Sequence, residues 1–471
     1  MITDAYIMAA MIPTVIFAGI SSAITAGFIP VFTEEYKKEG LNSSFELANK
    51  ILSILLFFLV IWTLIGFFNV NTLVEIFAPG FTDDAHKITT TLVKYTIFSS
   101  IFVICASVFA AMLQVLGNFW VPSAISITQN IIIILSICIS ATIWGIEAVA
   151  VGTVLGMASH VFFQYPYLYK KGYRFKLFFN PFQKVSVGFL HNAYPIIIGM
   201  LLLNINTIID RSLASSLEMG TITALNFSQK LSNFLFAVVG LSIITIIYPK
   251  FAKLYQNGTL DKFKTLLSET VTNILVIMVP LLCILIILRE PIVEVIFEYG
   301  SFDHRATEMT ATGLLYYSLG IIALTIQELF SRALYSLKDT KSSMYSAGIS
   351  VLINILLNYL LISYMGLGGL ALATSISLII RMVILEYLLR RKIGGWLELK
   401  SFLINIIKVC IAALLMSIVI AALVELYYSN HSKLLLLMNI GLVIILGLCV
   451  YAISLRCLKV DFTMKLKSFI K

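Results

Sequence analysis

Apolar runs of about 20 residues, separated by short polar segments, repeat along almost the whole chain. A helix needs about 20 mostly apolar residues to span a bilayer, and a strand would instead show a two-residue alternation. The pattern predicts an all-α polytopic membrane protein with thirteen transmembrane helices. The predicted spans are 5–33, 49–69, 89–114, 121–142, 146–167, 188–214, 221–247, 266–288, 308–334, 343–364, 367–389, 402–426 and 434–457.

The composition supports a chain that lies almost entirely in the membrane. Of its 471 residues, 59% are hydrophobic and 12% are charged, and the mean hydropathy is +0.97. The polar segments are too short to hold a soluble catalytic domain. The six cysteines lie in or at the end of apolar runs without CxxC spacing, so neither a disulfide framework nor a zinc site is predicted.

The basic residues predict the orientation of the chain. Of the 33 lysines and arginines, 22 flank one alternate set of connections and four lie in the opposite set. Because basic residues near membrane helices are retained inside, the C-terminus is predicted to be cytoplasmic and Met1 to be outside. The net charge of +9 is then explained by orientation and by contact with anionic membrane lipids, and no nucleic-acid partner is predicted.

A long internal repeat emerges when the sequence is aligned with itself. A shift of 219 aligns the segment 28–36 with 247–255, including two prolines and two tyrosines. The repeats differ by an even number of helices and so share one orientation, which predicts two homologous lobes with a substrate site between them. A shift of 221 aligns Gly145, Ala150, Thr153 and Lys171 with Gly366, Ala371, Thr374 and Lys392.

The repeat also divides the chain into three predicted parts. Residues 1–170 form an N-terminal lobe of five helices, 185–392 a C-terminal lobe of six, and 400–471 two further helices with a cytoplasmic tail. The helix at 188–214 has its counterpart before residue 1. We therefore expect a parent architecture of fourteen helices from which the first is missing.

Several strings resemble the MurJ (MviN) lipid II flippases of the multidrug/oligosaccharidyl-lipid/polysaccharide exporter superfamily. The resemblance covers essentially the whole chain and implies two six-helix lobes, a central cavity and two C-terminal helices. It also implies that a monomer in the bacterial cytoplasmic membrane moves an undecaprenyl-pyrophosphate-linked glycan lipid, lipid II, to the outer leaflet by alternating access. The strings are TDAYIMAAMIP, SAITAGFIPVFTEEY, IFAPGF, NTIIDRSLAS, LNFSQKL, IFEYGSF and ALYSLKDTKSS.

Ionisable residues inside the bundle are the candidates for function, because they are costly in the bilayer unless they face a cavity or a partner. Lys230 lies nine residues into an apolar helix, and the resemblance aligns it with a cavity arginine. It is expected to contact pyrophosphate as a point charge, or to form a salt bridge in the cavity wall. Asp4 matches the family's TDA aspartate, and its two readings are gating and capping of the helix it precedes.

The resemblance further implies a sodium site formed by Asp210, Asn354, Asn358 and Thr374. Carboxylate, amide and hydroxyl oxygens suit a hard cation, and the two asparagines share one helix face. Hydrogen bonding between helices is the alternative reading. Arg211, next to Asp210, is assigned to the transport path. No other cofactor is expected.

Glu328 and Arg332 are spaced i, i+4 near the predicted cytoplasmic end of their helix. This spacing favours a local ion pair, and a cytoplasmic gate is the functional alternative. Arg381 and its repeat counterpart His160 are interpreted as structural. The family's basic residues on the first helix have no counterpart here, and another of its arginines aligns with Phe17.

Other readings remain open at this point. A flippase for another lipid-linked polysaccharide or a spore-wall precursor, or a cation-coupled multidrug exporter, would share the fold and the repeat. An intramembrane enzyme is disfavoured because the five histidines are scattered and HExxH is absent.

Overall fold

The computed structural model describes residues 1–178, 205–395, 399–427 and 433–459. The regular structure in these segments is entirely helical. The chain divides into two compact units, Met1–Ile222 and Thr223–Lys471. The predicted lobe boundaries stay a prediction, since residues 179–204, which contain the start of the second lobe, lie outside the described segments.

The first unit is a bundle of helices, and short turns connect the first seven of them. Its core contains Phe28, Phe32, Phe109 and Tyr173. The Tyr173 hydroxyl donates a hydrogen bond of 2.7 Å to Asn49 Oδ1, which connects the segment that follows the seventh helix to the second helix. The helices are α1 (Ile2–Glu39), α2 (Leu41–Phe68), α3 (Val70–Phe77), α4 (Asp83–Thr96), α5 (Ser99–Val115), α6 (Trp120–Trp144), α7 (Ile146–Lys170) and the described part of α8 (205–214).

The second unit begins with one long helical span that changes type in its middle. Residues Phe236–Gly240 form a π-helical turn between two α-helices. The unit continues through six helices to the two C-terminal ones. The elements are α9 (Thr221–Leu235), α10 (Leu241–Gln256), α11 (Leu260–Ile287), α12 (Arg289–Phe297), α13 (His304–Ser318), α14 (Ile321–Ser336), α15 (Thr340–Met365), α16 (Leu367–Ile393), α17 (Leu399–Tyr427) and α18 (Lys433–Cys457).

The helix bounds repeat with the shift found in the sequence. α2 begins at Leu41 and α11 at Leu260, 219 residues later, while α7 begins at Ile146 and α16 at Leu367, 221 residues later. The two C-terminal helices α17 and α18 have no counterpart in this scheme. They pack on α11, where the Tyr451 hydroxyl donates to the carbonyl of Val276 at 2.8 Å.

The number of membrane spans agrees with the prediction only in part. Ten described helical spans are long and apolar enough to cross a bilayer, and the bent pair α13–α14 makes an eleventh. The protein is therefore a multi-pass membrane protein. The exact count of thirteen stays a prediction, because most of the predicted span 188–214 lies outside the described residues.

Two predicted spans contain breaks. The span 308–334 is formed by α13 and α14, which are bent by 40°, and the prediction of one continuous helix there is wrong. The span 89–114 likewise contains the end of α4 and most of α5. The short helices α3 and α12 were not predicted, because eight or nine residues are too few to register as a membrane span.

The turns that precede α6 and α15 show the repeat at the level of single hydrogen bonds. Asn118 Oδ1 accepts from the Val121 amide at 3.2 Å, and its counterpart Asp339 accepts from the Ser342 amide at 3.0 Å. Asp339 also forms an ion pair of 2.5 Å with Lys392 at the end of α16. Burial tends to raise the pKa of Asp339, but hydrogen bonds from Lys392 and Ser342 outweigh it and lower the pKa to about 2.

The substitution Asp339→Asn removes the charge of this ion pair and the hydrogen bond that Oδ2 accepts from the Ser342 hydroxyl, while asparagine still accepts the amide hydrogen bond. Lys392 is half-exposed, so solvent screening limits the expected loss to about 1 kcal/mol. A carboxyl group whose pKa is lower in the folded than in the unfolded protein stabilises the folded state fully at pH values above its ordinary pKa of 3.8. This stabilisation is lost as the pH falls through the folded-state pKa of about 2. The gap in melting temperature between the two proteins should be constant from pH 7 to pH 5 and shrink below about pH 4.

Asp261→Asn is the control for this measurement. The Asp261 side chain is 86% exposed, lies 3.9 Å from Lys264 and is in the first turn of α11, so its substitution should lower the melting temperature less than Asp339→Asn does, by the weak helix-dipole effect of an exposed acid. Equal melting curves for Asp339→Asn and the unaltered protein at pH 7 would show that the Asp339–Lys392 pair does not stabilise the fold.

Candidate functional site

Asp4 joins two segments that are far apart in the sequence. α1 begins at Ile2 with Met1 at its N-cap position, so Asp4 lies inside the first turn, and the prediction that it caps the helix it precedes is wrong. Its buried carboxylate accepts a hydrogen bond of 2.6 Å from the Gly220 amide. Gly220 directly precedes α9, and the N-terminus of a helix stabilises a negative charge.

Gly80 also forms a hydrogen bond with the segment that follows α8. Its amide donates to the Ser215 hydroxyl at 3.0 Å. A Cβ atom at Gly80 would lie 2.3 Å from the Cα atom of Ser216, so only glycine permits this approach. Sequence reasoning did not single out Gly80, although it lies in the string IFAPGF; a glycine needed for close packing of two backbones has no distinctive local pattern.

We call Asp4, Gly80, Ser215 and Gly220 the junction. These four residues connect α1, the α3–α4 connection and the end of α8 within the first unit. The junction borders a cleft of about 40 Å³, which is room for water but not for a lipid headgroup. The cleft beside the junction is therefore too small to be the binding site of such a headgroup.

Asp210 and Arg211 are buried neighbours in α8. They are 7% and 3% exposed, and both have interaction partners. Asp210 belongs to the first unit, whereas the other three residues of the predicted sodium site belong to the second. The structure therefore brings together three of the four predicted ligands, and the complete set stays a prediction.

Those three residues form a polar ladder between α15 and α16. The Asn358 amide nitrogen donates to Asn354 Oδ1 at 3.1 Å, and the Asn354 amide nitrogen lies 3.5 Å from the Thr374 hydroxyl. Both asparagines are buried. The ladder holds two helices together, and its amide and hydroxyl oxygens are also of the kind that binds Na⁺.

Lys230 is exposed on α9, two residues from the buried Ser228 and Ser232. Within the described part of the chain, its ammonium group has neither an ion pair nor a hydrogen bond. A cation without a nearby carboxylate can attract an anionic ligand without first giving up a partner. This property fits the predicted contact with pyrophosphate.

The predicted ion pair between Glu328 and Arg332 is present. Nε and Nη2 of Arg332 both lie 2.9 Å from Glu328 Oε1. The Arg332 guanidinium also lies 5.8 Å from the Tyr248 ring centre and 5.9 Å from that of Tyr335. The functional alternative, a cytoplasmic gate, stays a prediction.

The fold is shared with solved structures of membrane transporters. One of them is the lipid II flippase MurJ in an inward closed conformation, with a TM-score of 0.82 and 23% identity over 97% of this chain and 93% of that one. An inward-facing multidrug resistance MATE family transporter of the MOP superfamily matches with a TM-score of 0.71 and 12% identity, over 83% of this chain and 90% of the other.

Sequence comparison then narrows the class to one family. The family described as lipid II flippase MurJ matches residues 1–441. A probable lipid II flippase MurJ of Buchnera aphidicola from Acyrthosiphon pisum is 29% identical over 89% of this chain and 83% of its own length. The corresponding protein of Vibrio cholerae is 26% identical, over 77% of this chain and 71% of its own length. The chain belongs to the MurJ lipid II flippase family.

Proposed function

We propose that this protein moves lipid II, an undecaprenyl-pyrophosphate-linked glycan lipid, from the inner to the outer leaflet of the bacterial cytoplasmic membrane. The observation that carries the proposal is Lys230, an exposed ammonium group without a counter-charge among the described residues, in a chain of this family. The pyrophosphate of the substrate supplies the missing negative charge. Such a flippase makes and breaks no covalent bond, so it is not an enzyme.

The mechanism follows from the cost of charges in the bilayer. A pyrophosphate cannot cross hydrocarbon unaided, whereas the isoprenoid tail can stay in the lipid. Lys230 attracts the headgroup as a point charge, which tolerates changes of angle while the protein rocks between two states. If the headgroup binds the two states with different affinities, its binding shifts the equilibrium of the protein toward the state of higher affinity.

The junction would close one side of the transport path. Asp4 and Gly80 contact the segment that ends α8, and these contacts must break if the path opens at that end. Arg211 lies four residues before Ser215, so movement of the segment would also move this buried cation. Glu328 and Arg332 would act in the second unit, where breaking their ion pair releases a guanidinium.

A sodium ion bound by Asp210, Asn354, Asn358 and Thr374 would couple the cycle to an ion gradient. Asp210 is the only acid of the set, so its single negative charge would balance the charge of one sodium ion. The ladder of Asn354, Asn358 and Thr374 supports this proposal because both asparagines are buried and the polar groups of all three residues lie close together. The distribution of basic residues supports a cytoplasmic C-terminus. All residues proposed here for the transport path lie in one chain, which supports function as a monomer.

The test is complementation of a bacterial strain depleted of its own lipid II flippase. We expect the chain to restore growth and lipid II export, and export to depend on sodium if the ion is coupled. Asp210→Asn should then abolish the sodium dependence. Good expression in the membrane without rescue would reject lipid II as the substrate and favour another lipid-linked glycan or a drug.

A further inference from the structure

Two arginines share one carboxylate in the second unit. We call Tyr248 of α10, Glu328, Arg332 and Tyr335 of α14, and Arg381 of α16 the basic cluster. Three helices contribute to it, and its formal charge is +1. Arg381 is interpreted as structural from its repeat position in the sequence, and no local pattern links it to Arg332, which lies 49 residues earlier.

Arg332 has one edge of its guanidinium available for a ligand. Nε and Nη2 are bound to a single oxygen of Glu328, and the side chain is 41% exposed. The remaining N–H groups have no hydrogen-bond partner within the described residues. A guanidinium presents paired donors that match the oxygens of a phosphate group.

Arg381 adds a second set of donors. Its Nε atom is buried and has no hydrogen-bond partner in the described segments. Glu328 and Tyr335 are close enough to interact with it electrostatically. A buried N–H without a partner is costly, and one carboxylate cannot neutralise two guanidinium groups. The cluster therefore lacks negative charge and acceptor oxygens.

The first unit shows that these charges are not needed for the helix packing. At the repeat shift of 221, the positions of Glu328, Arg332 and Arg381 are occupied by Ser107, Ala111 and His160. Ala111 is fully buried in the core. The same helices thus pack in the first unit without an arginine or a glutamate at these positions, and a purely structural role for the cluster in the second unit is not required by the fold.

We propose that the basic cluster is an anion-binding site that takes the pyrophosphate group, with Arg332 and Arg381 as donors and Glu328 as the counter-ion that the anion displaces. This inference rests on the proposed function and adds a second binding site for the pyrophosphate group, besides Lys230. Tyr248 and Lys230 lie on the same helical span, 18 residues and about 27 Å apart. The cluster lies toward the end of that span that carries Lys250 and Lys253, which is predicted to be cytoplasmic, so it would receive the headgroup before Lys230 does.

The experiment is calorimetric titration of the full chain in nanodiscs of phosphatidylcholine, which carries no net charge. The probes are inorganic pyrophosphate and farnesyl pyrophosphate. We expect saturable binding that is at least about tenfold weaker in Arg332→Gln and in Arg381→Gln. Glu328→Gln should bind more tightly than the unaltered protein, a gain that a misfolded variant would not show.

Arg289→Gln is the matched control, since Arg289 lies outside the cluster and contacts its neighbour Glu290 at 3.3 Å. Binding of both probes would assign recognition to the phosphate groups alone, and binding of farnesyl pyrophosphate only would assign it to a lipid-linked headgroup. Absence of saturable binding, or equal affinity in all variants, would overturn the proposal. Complementation is measured separately. If the protein restores growth but binds neither probe, the anion-binding role of the basic cluster is rejected and the proposed function stands. If it binds the probes but does not restore growth, the transport of lipid II is rejected and the anion-binding site stands.

Discussion

Replacing Gly80 by alanine is expected to lower transport at least about fivefold. The added Cβ would meet three backbone atoms of Ser215 and Ser216 at 2.3 to 2.7 Å, and no side-chain rotation can relieve a clash with backbone. Overpacking of this kind typically costs about 1–3 kcal/mol. The α3–α4 connection must then move away from Ser215, and the nearby hydrogen bond between Asp4 and Gly220 would be strained as well.

The measurement is lipid II export in the complementation strain, together with membrane expression and melting temperature of the purified protein. Because the penalty of about 1–3 kcal/mol falls only on the closed junction, it shifts the equilibrium between the closed and open states by about 5- to 150-fold. Gly348→Ala is the control, since Gly348 lies in α15 and has no atom within 4 Å of an added Cβ. Transport by Gly80→Ala at the unaltered rate would show that closing the junction is not part of the cycle.

The fold class and the local contacts could be predicted because they depend on short-range patterns. Apolar runs of the required length identify helices wherever they occur. The ion pair between Glu328 and Arg332 was predictable for the same reason, since a spacing of four residues places two side chains on one helix face. The repeat added the symmetry of the two halves, which the helix bounds of α2–α7 and α11–α16 show again.

The contacts that define the junction could not be predicted, because they join residues without a shared local pattern. Asp4 and Gly220 are 216 residues apart, and Gly80 and Ser215 are 135 apart. The break between α13 and α14 was missed for a related reason. Gly320 at this break packs against the backbone of Ser375, where a Cβ would lie 2.9 Å from the Cα atom, but hydropathy continues unchanged across it.

Lys230→Ala is expected to reduce lipid II export by about 10- to 100-fold, the loss of one hydrogen bond to a charged group. Lys230→Arg should retain export, because it keeps the charge and adds the paired donors that phosphate accepts. Lys230→Glu should export less lipid II than Lys230→Ala, since the glutamate carboxylate repels the pyrophosphate. The order Arg, Ala, Glu is specific to an anion contact and would not result from a general packing defect.

Lys253→Ala provides the charge-matched control on the same helical span. Lys253 is exposed in the last turn of α10, where an ammonium group can reach water, so its removal should leave export unchanged. If Lys230→Ala and Lys253→Ala export lipid II equally well, Lys230 does not contact the substrate in transit. The headgroup would then have to be carried by other cations of the path, and the tighter binding expected for Glu328→Gln would decide whether the basic cluster is among them.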